Sequence, residues 1–279
     1  MVIEQANPDT LAGLFSSFDD ANWTDKTKLT DERLKNLIEH MSAIRVGNRD
    51  YSADVMGDAY EFLIKKFADD SGHTAQEFYT NRTVVHLMTE ILQPQSGESI
   101  YDPTCGSAGM LISCIAHLKA RGQEWRNVHV YGQEINALTS AIGRMNLFLH
   151  GVEDFHIVND DTLKNPAFIK NGQLMQFDLT LANPPYSIKQ KLRQNEDGEI
   201  RDGEQAHGRQ NEVPHGVLFR NEEASMREKL IKSDLVDCVI GLGPNLFFNA
   251  PMEACVVICR MPGSKPAAHK GKILLSNAV

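Results

Sequence analysis

The run Phe-Asp-Leu-Thr-Leu-Ala at residues 177–182 leads directly into Asn183-Pro184-Pro185-Tyr186, and this junction restricts the fold more than any other stretch. Its first part is a short, mostly apolar run of the kind that forms a buried strand. Two consecutive prolines cannot continue a sheet ladder, so the strand must stop there. The result is a rigid turn at the carboxyl end of a strand, where open α/β sheets hold their ligands. The turn carries one amide side chain, carbonyls with no competing proline N–H, and one aromatic ring. Taken plainly, it is a Pro-Pro turn after a strand. Taken chemically, it is a clamp for an amine. The side-chain oxygen of Asn183 and the carbonyl of Pro184 can both accept from one NH2 group, and Tyr186 can stack on the ring that carries it.

Size and composition bound the alternatives. The chain has 279 residues, 42% of them hydrophobic, enough for one large domain or a domain with a small appendage. No apolar run has the length to cross a bilayer and the start is not signal-like, so no membrane association is expected. Cys105, Cys114, Cys238, Cys255 and Cys259 are scattered without zinc spacing. That pattern points to a reduced, cytoplasmic setting and to no metal site. The formal net charge is −9, whereas a protein that grips nucleic acid alone shows a basic excess. If DNA is the substrate, another subunit supplies much of the grip.

Residues 1–70 have helical patterning. Thr30-Asp31-Glu32 can cap and open a helix, after which Leu34, Leu37, Ile38 and Met41 recur at helical spacing. Val55, Ala59, Phe62, Leu63 and Phe67 form a second apolar stripe. Both stripes are expected to pack on a neighbour. Residues 71–83 place polar groups and two aromatics before an apolar helix from Val84 to Leu92. Thr80 or Asn81 can cap that helix, as a plain linker or as a loop that presents free N–H groups to a carboxylate.

A strand ending at Asp102, the turn Pro103-Thr104-Cys105-Gly106-Ser107-Ala108-Gly109, and a helix through Leu118 have the layout of a first βα nucleotide-binding unit. The Gly-x-x-Gly spacing does not match a dinucleotide fingerprint. Residues 128–134 form a second strand ending in Glu134. A carboxylate there suits two ribose hydroxyls because it only accepts; a solvated strand end is the plain alternative. A helix over 137–149 and a third strand from Phe155 to Val158 lead to Asp161. Its carboxylate serves either as an acceptor for the amine of a bound adenine or as a helix cap.

Taken in order, the aromatic-polar loop, Asp-Pro-Thr-Cys-Gly-Ser-Ala-Gly, Gly-Gln-Glu, Asp-Asp-Thr-Leu and Asn-Pro-Pro-Tyr resemble the modification subunit of type I restriction–modification systems. That family methylates the exocyclic N6 amine of adenine in DNA. Val213-Pro214-His215-Gly216-Val217-Leu218-Phe219-Arg220 and Gly241-Leu242-Gly243-Pro244-Asn245-Leu246-Phe247-Phe248 extend the likeness, which runs from about Leu29 to Leu275. It implies an α/β fold: a Rossmann-like, doubly wound S-adenosylmethionine-dependent methyltransferase domain over 71–279, preceded by a helical region over 1–70. It implies a cofactor site of Glu77, Phe78, Tyr79, Thr80, Asn81 and Arg82 at the methionine end. Asp102, Pro103, Thr104, Gly106, Ser107, Ala108 and Gly109 form its glycine-rich loop. Glu134 holds the ribose and Asp161 the adenine, with Asn183 also at the cofactor. Asn183, Pro184, Pro185 and Tyr186 are the implied catalytic clamp. Implied partners are DNA, a specificity subunit, a restriction subunit and a second modification subunit.

The chain departs from the family pattern in three places. Asn81 stands where proline is usual. Residues 187–213 are short and polar where the family has an apolar helix and strand, and are expected to be an irregular insertion or remnant. The chain also ends soon after Leu275. Two other functions remain open at this point: methylation of another planar amine, such as RNA adenine or protein glutamine, and a catalytically impaired subunit that binds S-adenosylmethionine and partners only.

Overall fold

Glycine and proline punctuation divides the central part of the chain into short strands and amphipathic helices. The computed structural model describes residues 2–14, 26–27, 30–45, 50–71, 80–184, 212–214, 218, 224–244, 246, 253–261 and 263–278. The helices α1 (Val2–Ala6), α2 (Pro8–Leu11), α3 (Asp31–Ser42), α4 (Ala53–Ser71) and α5 (Arg82–Leu92) precede any strand. Then follow β1 (Ser99–Asp102), α6 (Gly109–Ala120), β2 (His129–Glu134), α7 (Ala137–Leu149) and β3 (Phe155–Asn159). A small antiparallel hairpin, β4 (Ile169–Lys170) with β5 (Gln173–Leu174), leads to β6 (Leu179–Thr180). The last elements are β7 (Glu212–Pro214), α8 (Ala224–Lys232), β8 (Val236–Leu242), β9 (Ala254–Cys259) and β10 (Leu274–Asn277).

The first sheet has the order β3-β2-β1-β6, and every pairing in it is parallel. From β1 the chain steps outward through α6 to β2 and through α7 to β3, then returns to the opposite side of β1 as β6. This reversal of strand order is the doubly wound arrangement. Ser99 donates from its N–H and hydroxyl to the Asp178 carboxylate, at 2.9 and 2.7 Å, and so fixes the start of β6 against the start of β1. The second sheet has the order β10-β8-β9-β7, with β9 antiparallel to both neighbours and β10 parallel to β8. One apolar core spans both sheets: Leu179 and Leu181 share it with Leu242, Ala254 and Val256.

Glu212–Pro214 pairs with β9 although polar residues precede it. Three residues at the edge of the sheet suffice, and an edge is where a strand proline is tolerated. The remainder of the stretch expected to be irregular, 187–211, lies outside the described residues.

Thr30 caps α3 by accepting from the Arg33 N–H at 3.2 Å, as the sequence predicts. The apolar stripe of α3 does not pack as expected: Leu37, Ile38 and Met41 are 52%, 57% and 56% exposed. On α4, Val55, Phe62 and Leu63 of the expected stripe also face outward, Phe62 being 61% exposed. The inward face is instead Gly57 and Ile64, with Glu61 between them half-buried. Two contacts favour this rotation of the helix, an ion pair from Glu61 to Arg82 and the packing of the His150 ring against Gly57. Among the described residues no helix is long and apolar enough to cross a membrane.

Close packing limits two glycine positions. A Cβ on Gly143 of α7 would stand 2.8 Å from the Gly106 carbonyl oxygen. A Cβ on Gly132 of β2 would stand 2.6 Å from Ile157 Cδ1. The neighbour of Gly143 is backbone and cannot rotate away. Gly143→Ala is therefore expected to lower unfolding free energy by about 1–3 kcal/mol, as overpacking does. Chemical denaturation checks this, and an unchanged midpoint would contradict the close approach of α7 to the turn after β1.

Candidate active site

The carboxyl ends of β1 and β6 lie side by side, because Ile100 pairs with Leu179 and Tyr101 with Thr180. One residue further on, the Leu181 N–H donates to the Tyr101 carbonyl at 2.9 Å. The glycine turn and Asn183-Pro184 thus leave the sheet from neighbouring strands at the point where strand order reverses.

The glycine turn is held from three sides. Gly106 and Ala108 adopt left-handed backbone, φ 52° and 63°, which folds the chain back tightly. The Cys105 N–H donates to the Gln133 carbonyl at 3.0 Å, and Asn146 of α7 donates from its side-chain amide to the Ser107 carbonyl at 2.9 Å. The Gly106 N–H donates to Glu134 Oε2 at 3.0 Å, while Glu134 Oε1 accepts from Asn136 N–H at 2.8 Å. The ribose reading of Glu134 needs lone pairs beyond these two bonds, and a carboxylate has them. Ala108 begins α6 with no side-chain cap, so the first N–H groups of that helix have no such partner.

Asp102 is 0% exposed. Its Oδ1 accepts from Thr104 N–H at 2.9 Å, and its Oδ2 has no hydrogen-bond partner among the described residues. Burial pushes its carboxyl up to about 7; the Thr104 bond pulls it down and the nearby Glu134 raises it further. Burial likewise pushes the Cys105 thiol well above its ordinary range, so that thiol is no nucleophile at neutral pH.

Asp161 is engaged as a turn former. Its Oδ1 accepts from Leu163 and Lys164 N–H at 3.0 and 3.2 Å. Its Oδ2 pairs with Lys164 Nζ at 2.8 Å, and that bond holds its carboxyl below the usual range. The carboxylate thus closes a turn, and among the described residues no helix follows directly on Asp161 for it to cap. The turn is docked to the site by two contacts, Thr162 Oγ1 donating to the Pro103 carbonyl and Gln133 bonding both Asn165 and Ala167.

Asn183 Nδ2 donates to Thr80 Oγ1 at 3.1 Å. This bond occupies the amide nitrogen and turns the amide oxygen to the other side. Of the two candidate caps, Asn81 caps α5, accepting from Thr83 N–H at 2.9 Å. Arg82 pairs with Glu61. Pro103, Thr104, Gly109 and Pro184 lie in the same turns. Glu77, Phe78, Tyr79, Pro185 and Tyr186 lie outside the described residues.

Sequence reasoning missed Gln133 and Asn146, which bond the glycine turn, and Glu61, which pairs with Arg82. Nothing in their local pattern separates them from ordinary strand and helix positions. It also missed that Asp58, Glu61 and His150 bring ligand-type atoms within 4.8 Å of one another. The Arg82 guanidinium already supplies a cation to Glu61 of that trio.

The family model of N-6 DNA methylases matches residues 51–213 and 206–279. The methylase subunit of the type I restriction enzyme HindI from Haemophilus influenzae is 27% identical over 98% of this chain and 61% of its own length. That of MjaVII from Methanocaldococcus jannaschii is 30% identical over 88% of this chain and 46% of its own. The chain thus spans about half the length of these relatives. The crystal structure of a type I restriction–modification methyltransferase subunit from Streptococcus thermophilus superposes with TM-score 0.77 at 27% identity, covering 99% of this chain and 64% of that one. A class I S-adenosylmethionine-dependent methyltransferase from Listeria monocytogenes shares the fold at TM-score 0.61 and 17% identity, over 99% and 88% of the two chains.

The raised Asp102 carboxyl gives a pH signature. Its folded value, about 7, lies above its unfolded one. Between roughly pH 4 and 7 the native state therefore holds more protons than the unfolded state, and stability falls as pH rises through that window. Asp102→Asn removes this contribution. Its stability relative to the parent is expected to rise from about pH 5 to 8, read by denaturant unfolding at both values. A difference that does not change with pH would contradict the burial of an unpaired carboxylate.

Proposed function

The chain belongs to the N-6 DNA methylase family, and from that premise we propose that it transfers a methyl group from S-adenosylmethionine to the N6 amine of adenine in DNA, as part of a type I restriction–modification complex. The observation that carries this reading is the pairing of β1 with β6, which sets Asn183-Pro184 beside the glycine turn.

The residues present fit the cofactor. Asp102 Oδ2 is a buried acceptor without a partner among the described residues, suited to an ammonium group. The left-handed turn at Gly106 and Ala108 lets a ligand approach backbone closely. Glu134 is a strand-end carboxylate suited to ribose hydroxyls, and Arg82 a cation suited to a carboxylate. Asp161, once released from Lys164, would accept from the cofactor adenine; Glu77 through Asn81 would line the methionine end. When bound, S-adenosylmethionine supplies an electrophilic methyl on a sulfonium.

The chain's own residues act on the target amine. Its lone pair is delocalised into the adenine ring, which makes it a poor nucleophile. Asn183 Oδ1 and the Pro184 carbonyl accept its two N–H groups and favour a more tetrahedral nitrogen. As the amine becomes cationic these two oxygens stabilise the developing charge, the logic of an oxyanion hole with reversed sign. Thr80 orients Asn183 by accepting from its nitrogen. In this reading the sequence offers Tyr186 as a ring for stacking on the base. No strong base is needed before attack, since the proton leaves the charged amine afterwards. A base within a duplex cannot reach this turn, so it must flip out.

The net charge of −9 supports a division of labour in which a specificity subunit supplies much of the DNA grip, alongside a restriction subunit and a second copy of this subunit. Residues 71–279 form the methyltransferase domain in this reading and 1–70 a helical appendage, in the cytoplasm.

Asn183→Ala is expected to reduce methyl transfer to DNA by about 10²-fold or more, the scale of removing a preorganised electrostatic partner. Binding of S-adenosylmethionine should stay within a few-fold. The assay is radiolabelled methyl transfer by the assembled complex, with calorimetric titration of the cofactor. Retained turnover would refute the clamp; collapse of the fold would show that Asn183 serves a structural turn.

A further inference from the structure

Arg82 opens α5, and its guanidinium lies between two elements. On one edge, Nη2 pairs with the Glu61 carboxylate of α4. On the other, Nη1 lies 3.9 Å from where a Cβ on Gly109 would stand, at the start of α6 and the end of the glycine turn. Glu61 is itself held on its far side. Its Oε1 lies 3.8 Å from His150 Nε2, just after α7, and its side chain is only 17% exposed. Asp58, one turn earlier on α4, adds a second negative charge to the surroundings of Arg82. This packing exists because Gly57 has no side chain: a Cβ there would stand 2.5 Å from the His150 ring.

Glu61 therefore sits on a helix outside the sheet yet holds a cation against the glycine turn. The arginine side chain carries about 2 kcal/mol of rotamer entropy, and its planar fork is useful only when aimed. A carboxylate fixed on one edge of the fork directs the other edge. We infer that Glu61 is a positioning residue: it aims Arg82 at the carboxylate on the amino-acid end of the cofactor, so that α4 completes the cofactor site. The inference rests on the proposed use of S-adenosylmethionine. Two carboxylates on opposite edges of one guanidinium are nearer to the positive charge between them than to each other. Attraction thus outweighs their mutual repulsion.

The test is calorimetric titration of the full chain with two ligands, S-adenosylmethionine and 5′-methylthioadenosine, which lacks the amino-acid end. Glu61→Gln is expected to weaken the first about tenfold, or 1.4 kcal/mol, and to leave the second within about twofold of the parent. Equal loss for both ligands, or loss for neither, overturns the positioning role. If Glu61→Gln does not fold, Glu61→Asp is read the same way, because it keeps the charge and withdraws it by one methylene. A parent chain that binds neither ligand removes the functional reading itself, and this inference with it. A parent that binds both equally removes only the part assigned to Arg82 and Glu61.

Discussion

Ile100 lies opposite Leu179 and Tyr101 opposite Thr180, and the whole site depends on these two pairs. Parallel strands stand about 4.8 Å apart, so turns leaving their carboxyl ends are neighbours without further design. Around the short contact, other interactions hold the register. Asp178 accepts from Ser99 at one end, the Leu181 N–H bonds the Tyr101 carbonyl at the other, and the Tyr101 ring stacks on Phe177 at 4.5 Å. A slip of one residue would turn Leu179 and Leu181 out of the core. It would also carry Asn183 away from Thr80.

The site concentrates negative charge where water is excluded. Asp102 is buried with one oxygen unpartnered among the described residues, and Glu134 approaches the same turn. In a bare fold this is a cost, since a buried carboxylate without its full set of bonds loses hydration it does not recover. Proteins keep such costs where a ligand relieves them. A cofactor carrying an ammonium and a sulfonium is of the right sign. The stability lost at Asp102 and the affinity proposed for the cofactor are two sides of one charge.

The helices ahead of the sheet divide along chemical lines. α4 turns Glu61 and Gly57 inward and Phe62 outward, opposite to what apolar periodicity predicts. Burying Phe62 would gain a few kcal/mol at most, whereas leaving Arg82 near the glycine turn without an anion would strand a partly buried charge. The ion pair and the fit of His150 on Gly57 decide the rotation. α3 keeps its apolar stripe exposed.

Much of the site was legible in order along the chain. The proline that follows β6, the acid at the end of β1, the left-handed turn at Gly106 and the acid that ends β2 are local signals with local causes: proline cannot pair, glycine takes up left-handed backbone at little cost, and strands end where turns begin. The sequence by itself determined the α/β class, the strand–turn–helix units and the residue types on offer for an amine clamp. Only the tertiary structure decided that Asn183 bonds Thr80, that Asp161 bonds its own turn and Lys164, and that Glu61 rather than Phe62 faces inward. Each of those outcomes is a competition between partners far apart in sequence. Its winner is set by burial and distance, which no local pattern records.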